Sequence, residues 1–177
     1  KNVTWPATAP ISLPRSLTTL QLVFSSREID VLTEINKMTS LTKLEFDIWR
    51  SEVQTTHPTE LDALLVLLPR SLTSLELALQ GTISTHVYRS LPPTLSTLYA
   101  TSSELSDLGA LNIVWPKTLT SLSLINGDSF AMAFDYTTSD EVIVEFLKRL
   151  PEGLLSLNIQ SPRKWSSTLV RALPRSL

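Results

Sequence analysis

Apolar residues recur along this chain in one fixed phrase, Leu-x-x-Leu-x-Leu. It reads Leu17, Leu20 and Leu22, then Leu41, Leu44 and Phe46, then Leu72, Leu75 and Leu77. Leu95, Leu98 and Ala100, then Leu119, Leu122 and Leu124, then Leu154, Leu157 and Ile159 complete six copies. Leu173-Pro-Arg-Ser-Leu177 opens a seventh. A similar lead-in precedes the others: Leu13-Pro-Arg-Ser, Leu68-Pro-Arg-Ser, Leu91-Pro-Pro-Thr, Trp115-Pro-Lys-Thr and Leu150-Pro-Glu-Gly, with Met38-Thr-Ser in the second copy. The closing Leu-x-Leu alternates with period two, which predicts a short half-buried strand of three or four residues per copy. A unit this small buries its leucines only against its neighbours, so the pattern predicts a repeat protein.

The first leucines of successive copies are separated by 24, 31, 23, 24, 35 and 23 residues. Two intervals exceed the base period by amounts near two and three helical turns, at about 3.6 residues per turn. Such insertions lengthen a helix while its apolar face keeps its direction. Between the strands the apolar period does become helical: Ile29, Leu32 and Ile35; Leu61, Leu64, Leu65 and Leu68; Val142, Val144, Phe146, Leu147 and Leu150. Pro58 suits a first helical turn, and Thr138-x-x-Glu141 reads as a capping box. The units around Val87 and Leu105 leave room for a turn or two, and Gly127 to Thr138 reads as loop. Apart from the first, which runs into Met38-Thr39, each helix runs into a Leu-Pro or Trp-Pro pair that forbids its continuation.

Strand, helix and strand at a short fixed period predict an α/β fold, a right-handed curved solenoid. Parallel strands line its concave face, and helices and irregular turns line its convex face. The phrase at Leu17, Leu20 and Leu22 and its five successors resembles the leucine-rich-repeat superfamily, in a proline-led LPxSLTxLxL variant. The resemblance runs from Leu13 to Leu177 and implies a curved solenoid that binds a partner on its strand face. One feature departs from it. The asparagine expected three residues after the last strand leucine is replaced by Ser25, Trp49, Gln80, Ser103, Gly127 and Pro162. Other groups must then satisfy the backbone between coils. The column Ser16, Ser40, Ser71, Thr94, Thr118 and Ser176, broken at Gly153, supplies a hydroxyl for that purpose. The expected organisation is a single domain over residues 1–177, forming part of a longer protein.

Composition removes much chemistry. The chain has 177 residues, no cysteine and two histidines, and 15 Lys and Arg against 17 Asp and Glu. Without cysteine there is no disulfide framework and no thiolate metal site. A net charge of -2 lacks the basic excess of a nucleic-acid binder. The apolar run at Leu64 to Leu68, bounded by Asp62 and Pro69, is far below the ~20 residues of a membrane span. His57 and His86 stand 29 positions apart without metal-binding spacing. Asp128, Asp135 and Asp140 lack the ligand alternation of a calcium loop. No phosphate-binding or nucleophile-elbow motif occurs. No cofactor, no metal and no enzymatic activity are expected.

Function is therefore expected on the strand face. Between the leucines it presents Gln21, Lys43, Glu45, Asp47, Glu76, Tyr99, Thr101, Ser123, Asn158 and Gln160, mostly hydroxyl and amide groups with an acidic spot and one aromatic. Tyr99 among small hydroxyl residues is the candidate interface anchor. A strip three residues wide falls short of about 800 Å² per partner, so flanking loops are expected to contribute. Arg15, Arg70, Lys117 and Arg175 form a second column along the turns, interrupted by Thr39, Pro93 and Glu152, and read here as a solvated edge. Trp115 fills a lead-in slot and is expected in the core; Trp5, Trp49 and Trp165 lie in connections. The expected partner is another protein, with a covering chain or further repeats at the C-terminal end. The lack of cysteine leans towards an intracellular setting. The alternatives are an extracellular module for glycans or peptides, to which the sequon Asn2-Val3-Thr4 would be relevant, and the substrate-recognition segment of a larger enzyme such as a ubiquitin ligase.

Overall fold

The computed structural model describes residues 13–24, 34–48, 66–79, 85–101, 113–125, 139–160 and 164–177. Six strands follow one another along the chain: β1 (Thr19–Phe24), β2 (Lys43–Ile48), β3 (Ser74–Leu79), β4 (Thr97–Thr101), β5 (Ser121–Ile125) and β6 (Ser156–Ile159). Each pairs in parallel with the next, giving one sheet in the order β1-β2-β3-β4-β5-β6. We number the coils by their strands, with the turn at Pro174–Leu177 as the start of coil 7. The first five strands hold five or six residues, longer than the three or four read from the leucine spacing. Backbone pairing continues past the last leucine because each neighbouring strand extends the ladder in the same register.

The lead-in explains how each strand begins. The carbonyl at the turn's first position accepts the N–H of the leucine three residues on, at Pro14, Met38, Pro69, Pro92, Pro116, Pro151 and Pro174. All seven bonds are 3.0–3.2 Å, so every coil enters its strand through the same β-turn. In coils 1 to 6 the leucine that ends the turn points inward, and period two carries the next two apolar residues inward as well. Leu72, Leu75 and Leu77 in coil 3, and Leu119, Leu122 and Leu124 in coil 5, are all 0% exposed. Each such leucine contributes about 1.5–3 kcal/mol relative to an exposed one.

Three helices are described: α1 (Thr85–Arg89), α2 (Asp140–Lys148) and α3 (Ser167–Arg171). α1 is the short turn expected around Val87. α2 buries Ile143, Phe146 and Leu147, with Leu150 buried just beyond it. The expected face is corrected in part: Ile143 is buried, Val144 packs half-buried against the core, and Val142 is a half-exposed flank. The cap is also one residue later than the capping box placed it. Ser139 is the N-cap, its hydroxyl accepting from Val142 N at 3.4 Å. Ser166 caps α3, accepting from Leu169 N at 3.3 Å and donating to Asp140 Oδ2 at 2.9 Å. The helical faces at Ile29 and Leu32 and at Leu61, Leu64 and Leu65, and the loop from Gly127 to Thr138, lie outside the described residues.

Trp115 is buried, as its lead-in slot required. Its ring meets Tyr88 of α1 edge-on at 5.9 Å and Phe146 of α2 at 6.2 Å, an aromatic joint between connections on the inner side of the sheet. Tyr88 Oη and Trp115 Nε1 are buried without hydrogen-bond partners. Burial alone drives the Tyr88 phenol far above its ordinary pKa, so it stays neutral. Trp165 packs half-buried against the core.

Candidate interaction surface

What holds coil to coil also fixes where surface side chains stand. The hydroxyl column expected from the lead-in bridges adjacent coils. Ser71 Oγ donates to Leu41 O at 2.7 Å, and Ser176 Oγ to Leu154 O at 2.5 Å. Thr94 Oγ1 reaches both Arg70 O and Leu72 O, at 2.5 and 2.7 Å, and Thr118 Oγ1 reaches Pro93 O and Leu95 O, each at 2.8 Å. A second column, which the lead-in does not contain, runs beside it. Thr42, Thr73, Ser96 and Thr120 donate their hydroxyls to Thr18 O, Thr42 O, Thr73 O and Ser96 O, at 2.9–3.2 Å. The same carbonyls accept two successive backbone N–H groups from the next coil. Its signal was present in the sequence as the Thr or Ser after each first leucine, broken only at Leu155. Solvent exposure disguised it, because four of those hydroxyl residues are exposed.

On this frame the outward residues form three rows. Gln21, Glu45, Glu76, Tyr99, Ser123 and Asn158 are successive register partners across all six strands. Asp47 and Thr101 stand in the next row, with Val23, Ala78 and Ile125. Lys43 belongs to the row at the strand starts, with Thr19, Ser74, Thr97, Ser121 and Ser156. Gln160 follows β6, its N–H donating to Leu124 O at 3.2 Å. All ten sequence-derived candidates thus share one face. Gln21, Lys43, Asn158 and Gln160 are exposed, while the other six are half-buried by neighbours on both sides.

The charges are unevenly spread. Lys43 Nζ lies 2.6 Å from Glu45 Oε1, two residues along the same side of β2. That hydrogen bond, with the nearby charges of Glu45 and Glu76, raises the Lys43 pKa and keeps its ammonium charged. Asp47 and Glu76 leave the region of β2 and β3 net negative, while the described strand residues of β4, β5 and β6 are uncharged. Within the face Asn158 Nδ2 donates to Ser123 Oγ at 3.2 Å, and Thr101 Oγ1 to Leu77 O at 3.4 Å. No group of three or more potential metal ligands occurs among the described residues. Of the expected acidic loop only Asp140 is described, at the start of α2, where it accepts from Ser166; Asp128 and Asp135 lie outside the described residues, as do His57, Trp5, Trp49 and Asn2. His86 lies in α1.

Six Leu-x-x-Leu-x-Leu units, each giving one strand of a continuous parallel sheet, define an α/β solenoid of the leucine-rich-repeat type. Among solved structures the chain is similar to the leucine-rich repeat-containing protein LegL7 from Legionella pneumophila, at 16% identity and a TM-score of 0.39. That match covers 84% of this chain, which spans 58% of the length of LegL7. No family model matches the chain, and no curated protein matches it in sequence. Among the described residues no helix is long and apolar enough to cross a membrane.

Proposed function

We propose that this chain is an interaction module that docks another protein on its strand face and the adjoining loops, and that it works by binding rather than catalysis. The observation that carries this reading is the row Gln21, Glu45, Glu76, Tyr99, Ser123 and Asn158, held in register across six strands. Such a row offers a partner a rigid surface whose ordering cost has been met in folding. Tyr99 sits centrally, between Glu76 on one side and Ser123 on the other. An aromatic body with a polar tip, ringed by small groups, suits the anchor of an interface. The carboxylates support the same reading. Glu45 and Glu76 are adjacent in register, but Lys43 already pairs with Glu45, which suits a charged docking patch better than an acid–base pair.

A photoreactive residue at Ser123 identifies what docks, by covalent capture and mass spectrometry. Tyr99→Ala and Glu76→Lys are each expected to weaken binding of that captured protein about tenfold, the size of a moderate hot spot. Undiminished binding by both variants would place docking elsewhere on the molecule.

A further inference from the structure

The turn before each strand carries a feature the strand face does not use. Its second residue is Arg15, Arg70, Lys117 and Arg175 in coils 1, 3, 5 and 7, and Thr39, Pro93 and Glu152 in the coils between. All seven are exposed. Among the described residues, the ion pairs Lys37–Glu34, Lys43–Glu45 and Lys148–Glu145 engage none of the four ridge cations. Because every turn closes with the same hydrogen bond, these residues occupy equivalent places along the stack. The hydroxyl column ties their backbone together: Arg70 O accepts from Thr94 Oγ1 and Pro93 O from Thr118 Oγ1. At about 4.8 Å per coil, the cations recur every ~9.6 Å along a ridge of about 29 Å.

We propose that this ridge docks an acidic polypeptide segment in the polyproline II conformation, with a carboxylate at every third residue. A polyproline II helix has three residues per turn and a rise of about 3.1 Å, so one of its faces repeats every ~9.3 Å. Four carboxylates on that face span about 28 Å, within ~1 Å of the ridge. Other backbones do not fit. An extended strand repeats a face every ~6.8 Å. An α-helix returns to the same face after seven residues, at about 10.5 Å, and drifts ~2.7 Å out of step over three intervals. The two intervening residues of each polyproline turn point elsewhere, so Glu152 meets no opposing carboxylate. Three of the four cations are arginines, whose planar fork grips a carboxylate through two parallel hydrogen bonds. This docking is independent of the strand face.

The test uses the whole chain and two fluorescein-labelled peptides of equal charge. One is (Glu-Pro-Pro)4; the other carries four glutamates at alternate positions within flanking prolines. Fluorescence anisotropy at low salt is expected to show the first binding at least tenfold more tightly. Arg70→Glu with Lys117→Glu is expected to remove that preference, while Arg89→Glu on α1 leaves it intact, circular dichroism confirming that each variant is folded. Equal binding of the two peptides would reduce the ridge to unspecific attraction. No binding of the first peptide, or unchanged binding by the double variant, would overturn the proposal.

Discussion

Coils 4 and 5 share their plan with coil 6, yet the two regions differ in how firmly that plan is held. In β4 and β5 the inward residues Leu98, Ala100, Leu122 and Leu124 are at most 1% exposed. Thr94 and Thr118 each share their single hydroxyl hydrogen between two carbonyls of the preceding coil, and Ser96 and Thr120 add a second bridge. In coil 6 both hydroxyl positions are lost, to Gly153 and Leu155. Leu155 is 69% exposed, and the inward Leu157 and Ile159 are only half-buried. Pairing survives all the same, since Leu155 N and Ser156 N still donate to Thr120 O at 2.8 and 3.0 Å. The backbone therefore sets register, while flanking coils on both sides and the hydroxyl bridges set tightness.

The sharpest way to break this comparison is to remove equivalent leucines. Leu98→Ala should cost about 2–5 kcal/mol in urea denaturation, because both flanking coils hold the cavity open. Leu157→Ala in coil 6 should cost clearly less, since its site is already half in solvent. Equal losses would deny that lateral cover matters.

Removing a bridge comes next in size. Thr94→Val keeps the side-chain shape but withdraws the donor from Arg70 O and Leu72 O, and should cost about 1–2 kcal/mol. The converse change belongs to coil 6. A Cβ at Gly153 would meet nothing within 4 Å, so Gly153→Ser can place a hydroxyl opposite Leu119 O, as Ser71 does opposite Leu41 O. It should stabilise the protein by about 1 kcal/mol, from the new bond and a less flexible unfolded chain. A loss of stability would show that the bridge depends on more than a vacant position.

The smallest expected effect concerns α2, which connects the two regions. Ser139→Ala removes the N-cap and should cost about 0.5–1 kcal/mol. The Glu141 carboxyl lies below its usual pKa, held there first by its own backbone N–H and then by the Ser139 hydroxyl. A depressed folded pKa means the contribution is complete above the unfolded value and is lost as pH falls through the folded one. The variant should therefore raise the Glu141 pKa in an NMR titration and lessen the acid-side loss of stability.

The six strands were legible in the sequence because period two recurs in every copy and a proline turn precedes it in all but the second, where Met38-Thr39-Ser40 takes that place. Trp115 was legible because it stands in a slot that leucine fills elsewhere. The hydroxyl bridge at Ser71 could be inferred because the expected asparagine was missing. Its companion at Thr42, Thr73, Ser96 and Thr120 escaped, since an exposed threonine beside a strand reads the same whether it bonds a neighbouring coil or water. Val142 was placed on the apolar face in place of Ile143 because a run of adjacent β-branched residues blurs the helical period, and only packing selects Ile143. The candidate strip could be read as a set of outward positions. Its internal geometry, with Lys43 paired to Glu45 and Tyr99 between Glu76 and Ser123, needed the register.

That register is open to one direct measurement. The chain has no cysteine, so paired cysteines report without background. Thr97→Cys with Ser121→Cys joins register partners of β4 and β5, at a separation near the ~5.5 Å that a disulfide spans between Cα atoms. Thr97→Cys with Ile125→Cys sets the second thiol four residues further along β5. Under mild oxidation the first pair should close readily and the second remain reduced; equal closure of both, or closure of the second alone, would contradict the in-register parallel sheet.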